Sequence, residues 1–319
     1  MSTTDISFDE FATLPHAISL LGMSGVGKTM LSKNLRSNDN WFHYSADYRI
    51  GTRYLAEDIL DNVKFKIMQM RDPFVANLLR SDSIYINHNI SVDNLEPVST
   101  FLGMFGDPAL GGLAKALFLE RQELYRRAEV ASMIDAGGFM SKSWQIYGCK
   151  HFINDASGSL CEIADPNDAD DPVIAALTAD SLILYIQPNA AYEEELKVRA
   201  RTHPKPLFYN PAFIESHLEA KPDDGAGVDP LDFARPLFPD LLEFRKPRYG
   251  AMADNFGFTI HADELFQPDD HGDTLPDADR FLDKIYSVIS EQAAASETAA
   301  NNLARYLDAC GQRQARRDA

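Results

Sequence analysis

Residues 22–29 read Gly-Met-Ser-Gly-Val-Gly-Lys-Thr and satisfy the pattern G-x-x-x-x-G-K-[ST] at every position. Each residue type has a chemical reason to be there. The glycines let the backbone curl so that successive N–H groups converge on phosphate oxygens, where side chains would collide. The amino end of the helix that follows adds partial positive charge. Lys28 has the reach for the β and γ oxygens, and the Thr29 hydroxyl suits a magnesium ion bridging them. Gly22, Met23, Ser24, Gly25, Val26, Gly27, Lys28, Thr29 and Met30 are therefore the candidate nucleotide contacts. ATP and Mg2+ are the ligands expected, and Lys28 is also a candidate catalytic residue.

Other candidates stand further along the chain. Asp155 ends an apolar run, where an acid can hold magnesium directly or through water; Asp-Ala-Ser-Gly is equally good turn chemistry. Asp47 follows a second such run. It has the type for a general base or an orienting acceptor, and equally for the cap of a helix starting near Arg49. Arg199 and Arg201 lie past a later strand, in a segment able to close over a nucleotide and neutralise charge on a transferred phosphoryl group. The competing reading is an exposed helix pairing these arginines with Glu193 to Glu195 at i,i+4 spacings. Lys205, between two prolines, is weaker. Arg121, Arg126 and Arg127 are expected on a solvated helix, with one of them open to a substrate role. Ser157 and Ser159 lack the G-x-S-x-G surroundings of a nucleophile elbow, and the histidines show no paired metal spacing.

These residues need a frame to hold them. Short apolar runs at 16–21, 41–44, 151–154, 182–186 and 258–261 read as strands, and the stretches between them carry helical spacing. Alternation of this kind predicts βαβ units and a parallel, doubly wound sheet, a three-layer α/β/α fold. Helices are expected over 29–36 and from Arg49 to about Met70. The segment 71–112 is polar and glycine-punctuated, and the segment after it is helical. The nucleotide-binding core is expected over 12–70 and 148–270, with a mostly helical insertion at 71–147. One helix and an Ala-rich, then basic, tail are expected over 271–319.

Composition narrows the function classes. The chain has 319 residues, 30 Lys+Arg against 48 Asp+Glu, and a formal net charge of −18. A surface of that sign does not suit nucleic acid, whose phosphates need clustered cations. The stretch 151–196 contains ten acids and no Lys or Arg, which reads as a solvated acidic face. Three cysteines are too few and too scattered for a disulfide framework or a zinc cluster. No apolar run approaches the roughly 20 residues of a membrane span, and the acidic start lacks the pattern of a signal peptide. A cytoplasmic protein without membrane or nucleic-acid partners is expected.

The glycine at position 25 makes the loop G-x-x-G-x-G-K-T, which resembles that of small P-loop kinases such as shikimate and gluconate kinases. Asp47 and Ile50 in SADYRIGTRYL resemble the acid and aliphatic residue that follow the second strand in shikimate-type kinases. LILYIQP with EEELKVRARTHPKPLFY resembles their fourth strand and arginine-bearing lid, and Arg248 to Asp254 leading into FTIHADE resembles the approach to their last strand. The likeness covers about half the chain. It departs at Ser45, where shikimate-type kinases carry a first acid, and at Asn154 to Ser159, where they carry a glycine triplet. Over its whole length the chain also looks like bacterial proteins labelled only as ATPases. The resemblance implies an ATP- and magnesium-dependent phosphotransferase for a small hydroxyl-bearing acceptor. The other reading is an ATPase or nucleotide-gated regulatory module with a protein partner.

Overall fold

Five apolar runs pair as parallel strands, as the alternation of patterns requires. In the computed structural model, which describes residues 6–37, 40–269 and 271–318, the strands are β1 (Ala17–Leu21), β2 (Trp41–Ser45), β3 (His151–Asp155), β4 (Leu182–Gln187) and β5 (Phe258–His261). Their order is β2-β3-β1-β4-β5, with every neighbouring pair parallel. All residues of β1 and β3 are buried, the condition of a parallel sheet covered on both faces. The chain leaves β1 toward the β2 edge but leaves β3 and β4 toward the β5 edge. The winding therefore reverses at β1, and open α/β sheets take their ligands in the crevice beyond the carboxyl ends of strands at such a reversal.

The helices follow in chain order. They are α1 (Phe8–Thr13), α2 (Lys28–Arg36), α3 (Ala46–Arg49), α4 (Ala56–Met68), α5 (Phe74–Arg80), α6 (Glu96–Leu102) and α7 (Lys115–Tyr147). After β3 come α8 (Leu160–Ile163) and α9 (Pro172–Asp180), and after β4 come α10 (Ala190–Thr202), α11 (Pro211–Leu218) and α12 (Pro230–Phe256). Finally α13 (Ala262–Leu265), α14 (Ala278–Ala295) and α15 (Glu297–Asp318) follow β5. Local chemistry sets several boundaries. Asp171 caps α9 through the N–H groups of Val173 and Ile174, with Pro172 at the first helical position.

Packing divides the chain into two units. The first is Met1–Ala46, Met133–Thr202 and Phe238–Ala319, and it contains the whole sheet. Its core gathers Ile18, Leu20, Leu184, Ile186 and Ile260 with Leu31 and Leu35 of α2 and Phe281, Ile285 and Ile289 of α14. Each such side chain contributes about 1.5–3 kcal/mol when removed from water. The expected Ala-rich and basic tail is instead the helix α15. Its Ala299, Leu303, Tyr306, Cys310 and Arg313 recur every three or four residues and are buried. Arg313 is tolerated there because each of its three guanidinium nitrogens finds an acceptor. It donates to the Pro15 carbonyl at 3.0 Å, to the Asp180 carbonyl, and to the Cys310 sulfur at 3.0 Å.

Beneath the amino ends of β1 and β3 lies a stack of buried rings. Trp41 stacks on His151 at 4.6 Å between centroids, and His151 on His16 at 5.4 Å. The hydrogen bonds fix the neutral forms. The Phe11 carbonyl can only accept, so His16 Nε2 donates to it at 2.9 Å, and His16 Nδ1 accepts from the Tyr306 hydroxyl at 2.8 Å. His151 Nδ1 accepts from the His16 backbone N–H at 3.1 Å. Burial pushes the His16 pKa down to about 3 and that of His151 down to about 2.

The second unit is Asp47–Ser132 and His203–Leu237. Its centre is aromatic, with Phe105 against Phe118 and Phe233, Phe118 against Tyr209, and Tyr125 stacked on Phe208. Arg121, expected on a solvated helix face, is 5% exposed. It lies over the Phe101 ring, donates to the Phe101 carbonyl, and donates to Asn62 Oδ1 at 2.8 Å. Arg126 is bound by both oxygens of Glu123 at 2.7 and 2.8 Å. Among the described residues no helix is long and apolar enough to cross a membrane.

Candidate functional site

The Gly22–Thr29 loop leaves the carboxyl end of β1, the strand at which the winding reverses, and leads directly into α2. Gly25 and Gly27 adopt φ of 90° and 102°, the left-handed region that glycine enters without steric cost. At Gly27 a side chain is excluded twice over, because a Cβ there would stand 2.7 Å from the Phe266 ring. Gly27 is the N-cap residue of α2, and no side chain caps that end. The first N–H groups of a helix have no partner inside it. Lys28 opens the helix and is 6% exposed. Its ammonium turns back into the loop and donates to the Gly22 carbonyl at 2.6 Å and the Met23 carbonyl at 3.1 Å. The lysine thus helps hold the loop's curl. Thr29 is partly exposed at the second helical position, and Met30 after it is 62% exposed.

On one side of the loop stands the end of β3. Asp155 pairs in register with Leu20 of β1 and with Ser45 of β2, and it is 5% exposed. The chain after it packs against the loop so closely that a Cβ on Gly158 would stand 2.7 Å from the Ser24 backbone nitrogen. This segment is itself clamped from behind. Arg245 of α12 donates from Nη1 to the Gly158 carbonyl at 2.9 Å and from Nε to Glu162 at 2.6 Å, and both side chains of the ion pair are buried. Burial is the largest influence on Arg245 and opposes its charge. The Glu162 carboxylate, together with the Cys161 and Tyr249 side chains, more than offsets it, so the pKa is raised. Arg248, one turn along, holds the carbonyls of Cys161 and Ala164 at 2.6 and 3.1 Å. Ser157 and Ser159 are buried in the same segment.

On the other side lies α10. Tyr192, Leu196 and Arg199 fall at i, i+4 and i+7, one face of a helix, and all three meet Gly25. The Tyr192 hydroxyl donates to the Gly25 carbonyl, and burial raises the Tyr192 pKa. A Cβ built on Gly25 would lie 3.2 Å from Leu196 Cδ2 and 3.2 Å from Arg199 Nη1. Among the described residues the ion pairs of this stretch are made with lysines. Glu194 is taken by Lys197 at 2.8 Å, and Glu193 by Lys246 at 2.9 Å. Arg201 is exposed on another face of the helix.

Asp47 belongs to the second unit. It is the second residue of α3, which begins at Ala46 directly after β2. It therefore does not cap a helix starting near Arg49, and the capping alternative is replaced by a place inside the first turn. The Tyr125 hydroxyl lies 3.5 Å from its Oδ1. Among the described residues no group of three or more His, Cys, Asp or Glu side chains is placed to hold a metal ion by itself. Three participants had not been expected from the sequence. Tyr192 was findable from its spacing to Arg199, whereas Phe266 and the Arg245–Glu162 clamp carry no local signal. No family model, curated protein or solved structure matches the chain. The fold defines it as an α/β protein with an all-parallel five-stranded sheet.

Proposed function

We propose that this protein binds ATP with magnesium and transfers the terminal phosphoryl group to the hydroxyl of a small metabolite. One observation carries the reading. A loop matching G-x-x-x-x-G-K-T, its lysine turned inward, leaves β1 at the point where the sheet's winding reverses. In this reading the loop N–H groups and the uncapped start of α2 receive the β- and γ-phosphates. Lys28 exchanges its two loop carbonyls for phosphate oxygens. Arg199, already beside Gly25, offsets charge that develops on the transferred group; Arg201, facing elsewhere, is the lesser candidate. Asp47, two residues past β2, accepts or orients the proton of the acceptor hydroxyl.

The oxygens at hand suit magnesium. Thr29 and Asp155 are hard donors, and a nucleotide-bound magnesium ion takes few protein ligands, the rest coming from phosphate and water. Thr29 and Asp155 would hold it, and when bound it would screen charge between the β and γ oxygens. The rest of the rate would come from positioning, with little covalent work for the protein.

A second reading, an ATPase or nucleotide-gated module acting on a protein partner, is favoured by the division into two units, the second of them assembled from two chain segments. ADP release measured across a library of hydroxyl-bearing metabolites separates the two. Stimulation by one metabolite class supports the phosphotransferase. Unstimulated release that rises only with a protein partner supports the second reading.

A further inference from the structure

We infer that His43 is a positioning residue for Asp155, holding its carboxylate in the orientation needed to serve a nucleotide-bound metal ion. This rests on the reading of Asp155 given above. His43 lies on β2 two residues before Ser45, the register partner of Asp155. Residues two apart on a strand share a face, so His43 and Asp155 are diagonal neighbours on one face of adjacent strands, within reach of a long side chain.

The His43 side chain is wholly buried, and its Nε2 lies 3.5 Å from Asp155 Oδ2. Neither of its ring nitrogens has a hydrogen-bond partner. A buried imidazole with both nitrogens unused is costly, and native interiors seldom keep one without a use for it. His16 shows the contrast, since both of its ring nitrogens are engaged in support of the fold, and His151 Nδ1 accepts from the His16 backbone N–H. The Asp155 carboxylate oxygen, at 3.5 Å from Nε2, lies a few tenths of an ångström beyond the usual hydrogen-bond range. A small rotation of Asp155 closes that gap. The Nε2–H then donates to Oδ2 and leaves Oδ1 to point away from the imidazole. This is the usual way a second group fixes a metal-binding carboxylate, and loss of such a group typically weakens metal affinity 10–100-fold.

The test uses the full chain and Mn2+ as the probe, titrated by electron paramagnetic resonance in the presence of saturating β,γ-imido-ATP. Nucleotide affinity is measured separately in EDTA. His43→Phe and His43→Met both remove the donor while keeping an apolar fill, so one serves if the other fails to fold. Either is expected to raise the Mn2+ Kd about 10–100-fold while leaving the metal-free nucleotide Kd within twofold. His43→Gln, which keeps an N–H at similar reach, should recover most of the loss. In a cycle with Asp155→Asn the two effects should fail to add, because both act through one carboxylate. Unchanged Mn2+ affinity in the donor-less variants overturns the inference, as does an equal loss of nucleotide affinity in EDTA or a Gln variant no better than Phe. If the wild-type chain binds no nucleotide at all, it is the nucleotide reading that fails, and that result is separable from the others.

Discussion

Lowering the pH from 7 to 5 should destabilise the sheet unit through the two histidines stacked beneath β1 and β3. Both are held neutral by burial, with pKa values pushed down to about 3 for His16 and about 2 for His151. In the unfolded chain each titrates near 6.5. Below that pH the unfolded state takes up protons that the folded state refuses, so stability is complete above about pH 6.5 and is lost as pH falls toward the folded values. At pH 5 both folded values are still far below the solution pH. Each histidine then costs about 2 kcal/mol relative to pH 7, and the pair about 4 kcal/mol. That is a large share of the 5–15 kcal/mol typical of a folded domain. Protonation would also break specific bonds, because His16 Nδ1 accepts from Tyr306 and His151 Nδ1 from the His16 backbone. The assay is urea denaturation at both pH values, followed by the fluorescence of Trp41, which stacks on His151. The control is the double variant His16→Gln/His151→Gln, which cancels the contribution of every other titrating group. The difference between wild type and variant should itself change by about 4 kcal/mol between pH 7 and pH 5. A change below about 1 kcal/mol would refute the claim that these rings are buried and neutral.

Two further predictions concern the candidate site. Arg199→Ala should lower ATP turnover by about 10²–10³, the usual loss for a group that stabilises transition-state charge, whereas Arg201→Ala stays within threefold; steady-state rates that rank the two the other way would reassign the role. Asp47→Asn should keep nucleotide affinity and lose about 10²–10⁴ in phosphoryl transfer if Asp47 assists the acceptor hydroxyl, and turnover within threefold of wild type would return Asp47 to a structural role and favour the regulatory ATPase.

Much of the sheet was legible from short apolar runs, because a strand buried on both faces leaves a continuous signature. The runs at 182–186 and 258–261 match β4 (Leu182–Gln187) and β5 (Phe258–His261) to within a residue. The Gly22–Thr29 loop was legible for a different reason, since its backbone demands glycine at fixed offsets. What stayed hidden depended on partners distant in the chain. Arg313 made the end of α15 look like a basic tail, and its burial is explained by acceptors that include the carbonyls of Pro15 and Asp180, both distant in the chain. Arg121 looked solvated until Phe101 and Asn62 supplied its contacts. The short helices α5 and α6 lie in a segment whose prolines and polar residues mask a helical period. His43 gave no signal at all. Alternation on a strand says which face a side chain takes and nothing about whether its nitrogens find partners.

The account stands or falls on nucleotide binding at the Gly22–Thr29 loop, and calorimetric titration of ATP with magnesium tests it most directly. Lys28→Ala removes two hydrogen bonds from the loop itself, worth about 1.5–3 kcal/mol each when the donor is charged. The variant is therefore expected to melt lower, and affinity is the quantity to compare, with both proteins titrated well below their melting temperatures. Wild type should bind one equivalent of Mg-ATP, and Lys28→Ala should bind at least 100-fold more weakly, since it loses the charged contact to the β and γ oxygens. No binding by wild type, or equal affinity in the two proteins, would contradict the central claim.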